Sequence, residues 1–224
     1  SAPCRRHFYT YFMTQMESCI IVGAGIAGLM AAERLRLYDV EVTLIEKSRG
    51  FGGRMAVKQH GEAVFDAGAQ FMTTRELVFR QQVESWLSKG WVKPWYKGPL
   101  RNMRYVGTEG MTTVPAHLGA DFPTRFSEKV TGLNFQKGKW TVETLPYGES
   151  QTCSYEADWL ILPPPVPQSL SLLQESKIDL DYDEEVELKK IRYLQCLTVM
   201  AVLEGPPNIA SPGAMDLNHD ILRW

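Results

Sequence analysis

The residues best suited to chemistry lie in one short run, Gly23-Ala24-Gly25-Ile26-Ala27-Gly28. The spacing assigns a task to each glycine. Gly23 permits a tight turn, Gly25 lets a pyrophosphate approach the backbone with no Cβ in the way, and Gly28 lets a helix pack closely. The start of that helix then presents unpaired N–H groups and about half a positive charge to phosphate oxygens. Glu46, 18 residues beyond Gly28, is placed to accept hydrogen bonds from ribose hydroxyls and to repel a 2′-phosphate. Gly52-Gly53-Arg54 follows within eight residues of Glu46, and Asp66-Ala67-Gly68-Ala69-Gln70 adds a third turn of small residues. Arg54 can pair with a phosphate or stack on a ring. One glycine loop would serve a plain nicotinamide cofactor; three point to an extended dinucleotide lying across several loops.

The elements around these loops must position them. CIIVG, Cys19 to Gly23, is a short apolar run typical of a buried parallel strand. LMAAERLRLYD reads as a helix with Leu29, Ala32 and Leu35 or Leu37 facing inward, and EVTLIE, Glu41 to Glu46, as a second strand. Strand, helix and strand make one βαβ unit with a right-handed crossover. A strand ending in a turn is expected over residues 63–72, and a helix from Arg75 to Trp91 with Leu77, Val78, Val83, Trp86 and Leu87 inward and Gly90 closing it. Residues 91–115 read as irregular strands, 125–145 as a hairpin turning at Lys137-Gly138-Lys139, and DWLIL, Asp158 to Leu162, as a strand stopped by three prolines. Acids from Asp179 to Glu187 ahead of Lys189, Lys190 and Arg192 suit a solvated helix, and CLTVMAVLE, Cys196 to Glu204, reads as a further strand.

The 224 residues carry 24 Lys+Arg against 26 Asp+Glu, a net charge of −2, with 44% hydrophobic and 22% charged residues. Those values exclude a collagenous or disordered chain. The sequence shows no apolar run of the ~20 residues that a membrane span needs and no dense basic stripe, so neither a membrane nor a nucleic acid is an expected partner. The four cysteines and four histidines are scattered without metal-ligand spacing. No metal site or disulfide framework is expected, and reduced thiols in a cytoplasmic setting are. Residues 1–18 lack the apolar core of a signal peptide and read as a disordered leader. No Ser-His-Asp set or carboxylate pair stands out, so no catalytic residue is assigned.

The stretch IIVGAGIAGL…LIEKSRGFGGRM…FDAGAQF resembles the start of amine-oxidase-like flavoproteins. More narrowly, GGRM, DAGAQF, RYVGTEGM, ILPPPVPQ and the final ILRW resemble the renalase family, from Cys19 to Trp224. The resemblance implies an α/β fold like p-hydroxybenzoate hydroxylase, with a Rossmann-like FAD-binding domain (19–74 and 119–167) and a discontinuous mixed-sheet substrate domain (75–118 and 168–224). Family members continue past this C-terminus, which implies an incomplete substrate domain and a complementing C-terminal chain as a partner. The cofactor implied is FAD. The implied activity is oxidation of misplaced-hydride isomers of reduced nicotinamide dinucleotides to NAD(P)+, with oxygen as the reoxidant. An amine or other small-molecule oxidase and a non-catalytic nucleotide-binding fragment are the alternatives. Ala27, Arg54, Gln70 and Phe71 occupy positions that match flavin contacts, and the Val130 backbone matches an adenine contact. The full candidate cofactor set is Gly23, Ala24, Gly25, Ile26, Ala27, Gly28, Glu46, Lys47, Gly53, Arg54, Ala69, Gln70, Phe71 and Val130. Phe71, Trp91, Trp95, Tyr96 and Tyr105 either wall a substrate pocket or pack in the core.

Overall fold

Four parallel strands, each no longer than six residues, carry the candidate loops on their carboxyl ends. In the computed structural model, which describes residues 16–98, 101–206 and 208–215, the chain runs β1 (Ser18–Val22), α1 (Ile26–Arg36), β2 (Glu41–Glu46), β3 (Lys58–His60), β4 (Ala63–Phe65) and β5 (Met72–Thr73). It continues through α2 (Leu77–Ser88), β6 (Val92–Lys97), β7 (Met103–Gly107), α3 (Thr113–Gly119), β8 (Thr124–Phe126), β9 (Glu128–Gln136), β10 (Lys139–Pro146), β11 (Cys153–Ala157), β12 (Trp159–Ile161), α4 (Val166–Glu175) and α5 (Tyr182–Lys189). The core sheet has the order β12-β1-β2-β8, all parallel, which is the Rossmann-like α/β arrangement expected. β1 is flanked on one side by β2, reached through α1, and on the other by β12, which arrives from far along the chain. Ligands of open parallel sheets bind outside the carboxyl ends at such a reversal point.

Both faces of this sheet are covered, which is why its strands are apolar nearly throughout. Cys19 and Ile21 of β1 with Val42 and Leu44 of β2 pack against Leu29 and Ala32 of α1 and Val114 and Leu118 of α3. Ile20, Val22 and Ile45 face the other way, onto Leu133, Val142 and Ala157 of the antiparallel sheet β11-β10-β9. That three-stranded layer therefore takes the place of a crossover helix between β8 and β12. A separate antiparallel sheet, β5-β7-β6, and the hairpin β3-β4 follow the second glycine loop. No helix among the described residues is long and apolar enough to cross a membrane.

Several expectations are corrected. Cys196–Glu204 has no regular structure: it is apolar and β-branched, but among the described residues no ladder pairs with it, and Leu197 stands 96% exposed. Leu77 and Val78 face solvent, because α2 begins there and its inward phase is set by Phe79, Val83, Trp86 and Leu87. Leu35, not Leu37, packs under α1. Within residues 63–72 the strand ends at Phe65, and the turn leads to the separate β5. Residues 113–119 form α3 instead of ending a run of irregular strands. Residues 1–15, including most of the expected leader, and the final ILRW lie outside the described residues.

Candidate functional site

Two glycine loops meet backbone to backbone at the carboxyl ends of β1 and β2. Gly23 leaves β1 at φ +110°, a conformation that side chains disfavour, and its N–H donates to Ile45 O at 2.7 Å. Gly25 then serves as the N-cap of α1 in an extended conformation, with no side chain bonding the first-turn N–H groups. A Cβ on Gly28 would overlap the Gly23 carbonyl oxygen, so the close helix-to-strand packing demands glycine there. The second loop docks on the first. Gly52 N donates to Ala24 O at 3.0 Å, and Gly25 and Gly52 form an isolated parallel bridge. The atoms nearest a Cβ placed on Gly25 would be Gly53 Cα at 3.9 Å and Gly52 O at 4.0 Å, so only backbone adjoins that position.

Glu46 points into this junction. It is 5% exposed, and one carboxylate oxygen accepts from Ala24 N at 2.8 Å while the other accepts from Ser48 N at 2.7 Å. The carboxylate thus ties the first loop to the end of β2, and each oxygen keeps a lone pair for a further donor. Ser127 N donates to Ser48 O at 2.9 Å, which brings the start of β9, the strand of Val130, beside the same loop. Lys47 and Ala27 are exposed at the rim, and Ile26 is half-buried at the start of α1.

The third turn is held by Arg54. Ala69 N donates to Arg54 O at 2.9 Å, and a Cβ on Gly68 would overlap that same oxygen. Asp66 Oδ1 accepts from Met111 N at 2.7 Å. Burial pushes the Asp66 carboxyl up, and the Met111 bond pulls it down less strongly. Gln70 and Phe71 follow, half-buried, with the Arg104 guanidinium 4.2 Å from the Phe71 ring centroid and 4.8 Å from that of Tyr96. Of the other aromatics, Trp91 stacks on His117 with ring centroids 4.7 Å apart, and it joins Tyr105 against the helix-side core, as the packing alternative expects.

The structure thus brings Gly23 to Gly28, Glu46, Gly53, Arg54 and Ala69 into one connected set of loops. It also brings in a residue that sequence spacing does not reveal. Tyr193 lies beside Arg54, with the guanidinium carbon 5.7 Å from its ring centroid. Nothing in the local pattern around Tyr193 signals that contact, because it depends on the return path of the chain after α5.

Comparison with known proteins agrees with the fold that carries these loops. Residues 21–82 match the family model described as an NAD(P)-binding Rossmann-like domain. They cover most of the βαβ unit of the Rossmann-like sheet, whose outer strands β8 and β12 come from later in the chain. Over 63 residues the chain is 38% identical to 1-hydroxycarotenoid 3,4-desaturase of Flavobacterium sp. (strain P99-3), a stretch covering 28% of this chain and 13% of that relative. Over 56 residues it is 34% identical to the mitochondrial protoporphyrinogen oxidase of Nicotiana tabacum, covering 25% of this chain and 11% of the relative. The similarity therefore spans only about an eighth of the length of these curated relatives. A solved structure from Exiguobacterium sp. 255-15, described as a candidate protoporphyrinogen oxidase, superposes with a TM-score of 0.56 at 13% identity, over 79% of this chain and 64% of that one. That likeness is one of fold.

Proposed function

We propose that this chain binds FAD across the two locked glycine loops and is the cofactor-holding part of a flavin-dependent oxidoreductase. The observation that carries the reading is the notch at Gly25. A bare, extended N-cap sits at the carboxyl end of the central strand, with the buried carboxylate of Glu46 beside it. The donor set fits the group. The first N–H groups of α1 suit a diphosphate, and the free lone pairs of Glu46 suit ribose hydroxyls. As the resemblance implies, the backbone of Val130 would take the adenine end, and Arg54, Ala69, Gln70 and Phe71 would take the ring end. The parallel sheet and its β9-β10-β11 layer form the cofactor-binding part, and α2 with the sheet β5-β7-β6 begins the substrate part.

Bound there, FAD supplies a two-electron acceptor for hydride from a substrate. This chain's own residues bind and orient it: the glycine loops hold the diphosphate by backbone, and Glu46 excludes a 2′-phosphate by charge. Half-buried Phe71, with the Arg104 guanidinium over its ring, would border the ring end. The narrower reading is renalase-type oxidation of dihydronicotinamide isomers, supported by the GGRM, DAGAQF and RYVGTEGM segments. A second reading, oxidation or desaturation of another small molecule, draws on the named activities of the curated relatives.

The test has two stages. Purified protein mixed with FAD and passed through a desalting column retains flavin absorbance, and a colourless protein refutes the cofactor reading. Under anaerobic conditions, bleaching by dihydronicotinamide isomers and not by amines supports the narrower reading, and the reverse pattern refutes it.

A further inference from the structure

The segment 191–200 leaves α5 and returns across the loops just described. It touches them at separate points. The Tyr193 hydroxyl accepts from Val166 N at 3.3 Å, which ties it to the first residue of α4. Its ring sits by the Arg54 guanidinium, on the loop after β2. Five residues on, Thr198 Oγ1 donates to Ala67 O at 2.9 Å, on the loop after β4. Further along, Pro212 O accepts from Trp95 Nε1 at 2.9 Å, which carries the chain over β6. Between Tyr193 and Thr198 little holds the segment: Leu194 and Leu197 are each 96% exposed. A stretch with few buried apolar contacts and a handful of exposed polar ones lies at the low-stability end of a fold.

We propose that residues 191–200 are a strap over the ring end of the dinucleotide site and that Tyr193 is a positioning residue acting through Arg54. The inference rests on the assignment of Arg54 to the cofactor. An exposed arginine loses rotamer freedom when it grips an anion or stacks on a ring. Parking its guanidinium over an aromatic face beforehand reduces that loss. The hydroxyl bond to Val166 in turn fixes the Tyr193 ring against the start of α4, so Tyr193 ties that helix start to the loop after β2, and Thr198 ties the same segment to the loop after β4. A dinucleotide filling the site adds a partner for Arg54 and steadies the strap above it.

The test uses the whole 224-residue chain. Backbone hydrogen exchange is followed with and without saturating FAD, and FAD affinity is measured for the parent, Tyr193→Ala and Tyr193→Phe. FAD slows exchange across 191–200 in the parent. Tyr193→Ala removes that slowing and weakens FAD about two- to fivefold, the size of one exposed cation–π contact. Tyr193→Phe keeps the ring and binds FAD more tightly than Tyr193→Ala. FAD bound with unchanged exchange over 191–200, or Tyr193→Ala binding FAD like the parent, overturns the strap and leaves the cofactor reading standing. No flavin binding by the parent overturns both. If Tyr193→Ala does not fold, the exchange of the parent and the affinity of Tyr193→Phe still decide: a Phe variant that binds FAD as the parent does supports the ring contact with Arg54, and one that loses FAD severalfold overturns it.

Discussion

Two glycines three residues apart should fail in opposite ways when given a methyl group. At Gly28 an added Cβ would overlap the Gly23 carbonyl oxygen and stand 3.2 Å from Ile21 Cγ2. Neither can yield cheaply, because one is backbone and the other belongs to a fully buried side chain in β1. α1 must slide off the strand, so Gly28→Ala should cost about 3 kcal/mol, the upper end for overpacking a core. For a chain of this size that lowers Tm by roughly 6–12 °C. At Gly25 the nearest atoms would be 3.9 and 4.0 Å away, ordinary contact distances, and the backbone is extended. Gly25→Ala should therefore cost the fold only about 1 kcal/mol, through the weaker N-cap. Its Cβ projects into the notch instead, and FAD affinity should fall at least about tenfold, or 1.4 kcal/mol. The assay pairs thermal melts of the flavin-free variants with FAD titrations run well below both melting points. Gly28→Ala melting with the parent would disprove the packing of α1 on β1. Gly25→Ala binding FAD as the parent does would disprove the placement of the diphosphate.

Further perturbations address the rest of the site. Glu46→Gln leaves an amide NH2 facing the N–H of Ala24 or Ser48, and the unmet buried bond should cost about 1–3 kcal/mol in urea denaturation; an unchanged midpoint would mean that the clamp contributes nothing. Because burial raises the Asp66 carboxyl, its protonated form is favoured in the folded state. Stability from this group is therefore present at low pH and lost as pH rises from the ordinary carboxylate range through the raised value. Asp66→Asn should flatten that decline in a pH series of melts, and an unaltered profile would assign it elsewhere. Burial also pushes the Cys19 thiol up to about 11, so iodoacetamide at about pH 8 should label exposed Cys196 and spare Cys19 in peptide mass spectra. Equal labelling of the two in folded protein would show that β1 is not covered on both faces.

What the sequence made legible is what neighbouring residues decide. The glycine spacing, the two flanking apolar runs and the distant acid are local patterns, and β1, α1, β2 and the Glu46 junction follow from them. The turn at Lys137-Gly138 is equally local: both residues adopt positive φ, 52° and 78°, as a tight hairpin turn requires. α5 shows its acids and Lys189 at opposite ends, with Asp181 capping by accepting from Asp183 N. The prolines after DWLIL were legible only in part. They stop β12, but Pro165 and Pro167 also open α4, where a missing N–H and a preset φ suit a first helical turn. α3 hid behind Pro115 and a glycine-rich approach. Cys196–Glu204 shows the opposite failure, since strand propensity without an available ladder is not a strand. The contacts of Arg54 with Tyr193 and of Ala67 with Thr198 depend on long-range chain path, which no period or spacing encodes.

The position of β1 between β2 and β12 also sets a timetable. Cys19 pairs with Val42 as soon as the βαβ unit forms, but its partner on the other side is Trp159. At ordinary synthesis speeds of about 5–20 residues per second, the 140 residues between them take roughly 7–28 s to emerge. Throughout that interval β1 has one row of peptide groups open to any passing chain. Whatever shields that flank during translation governs how much of the polypeptide reaches the state in which a nucleotide can be captured.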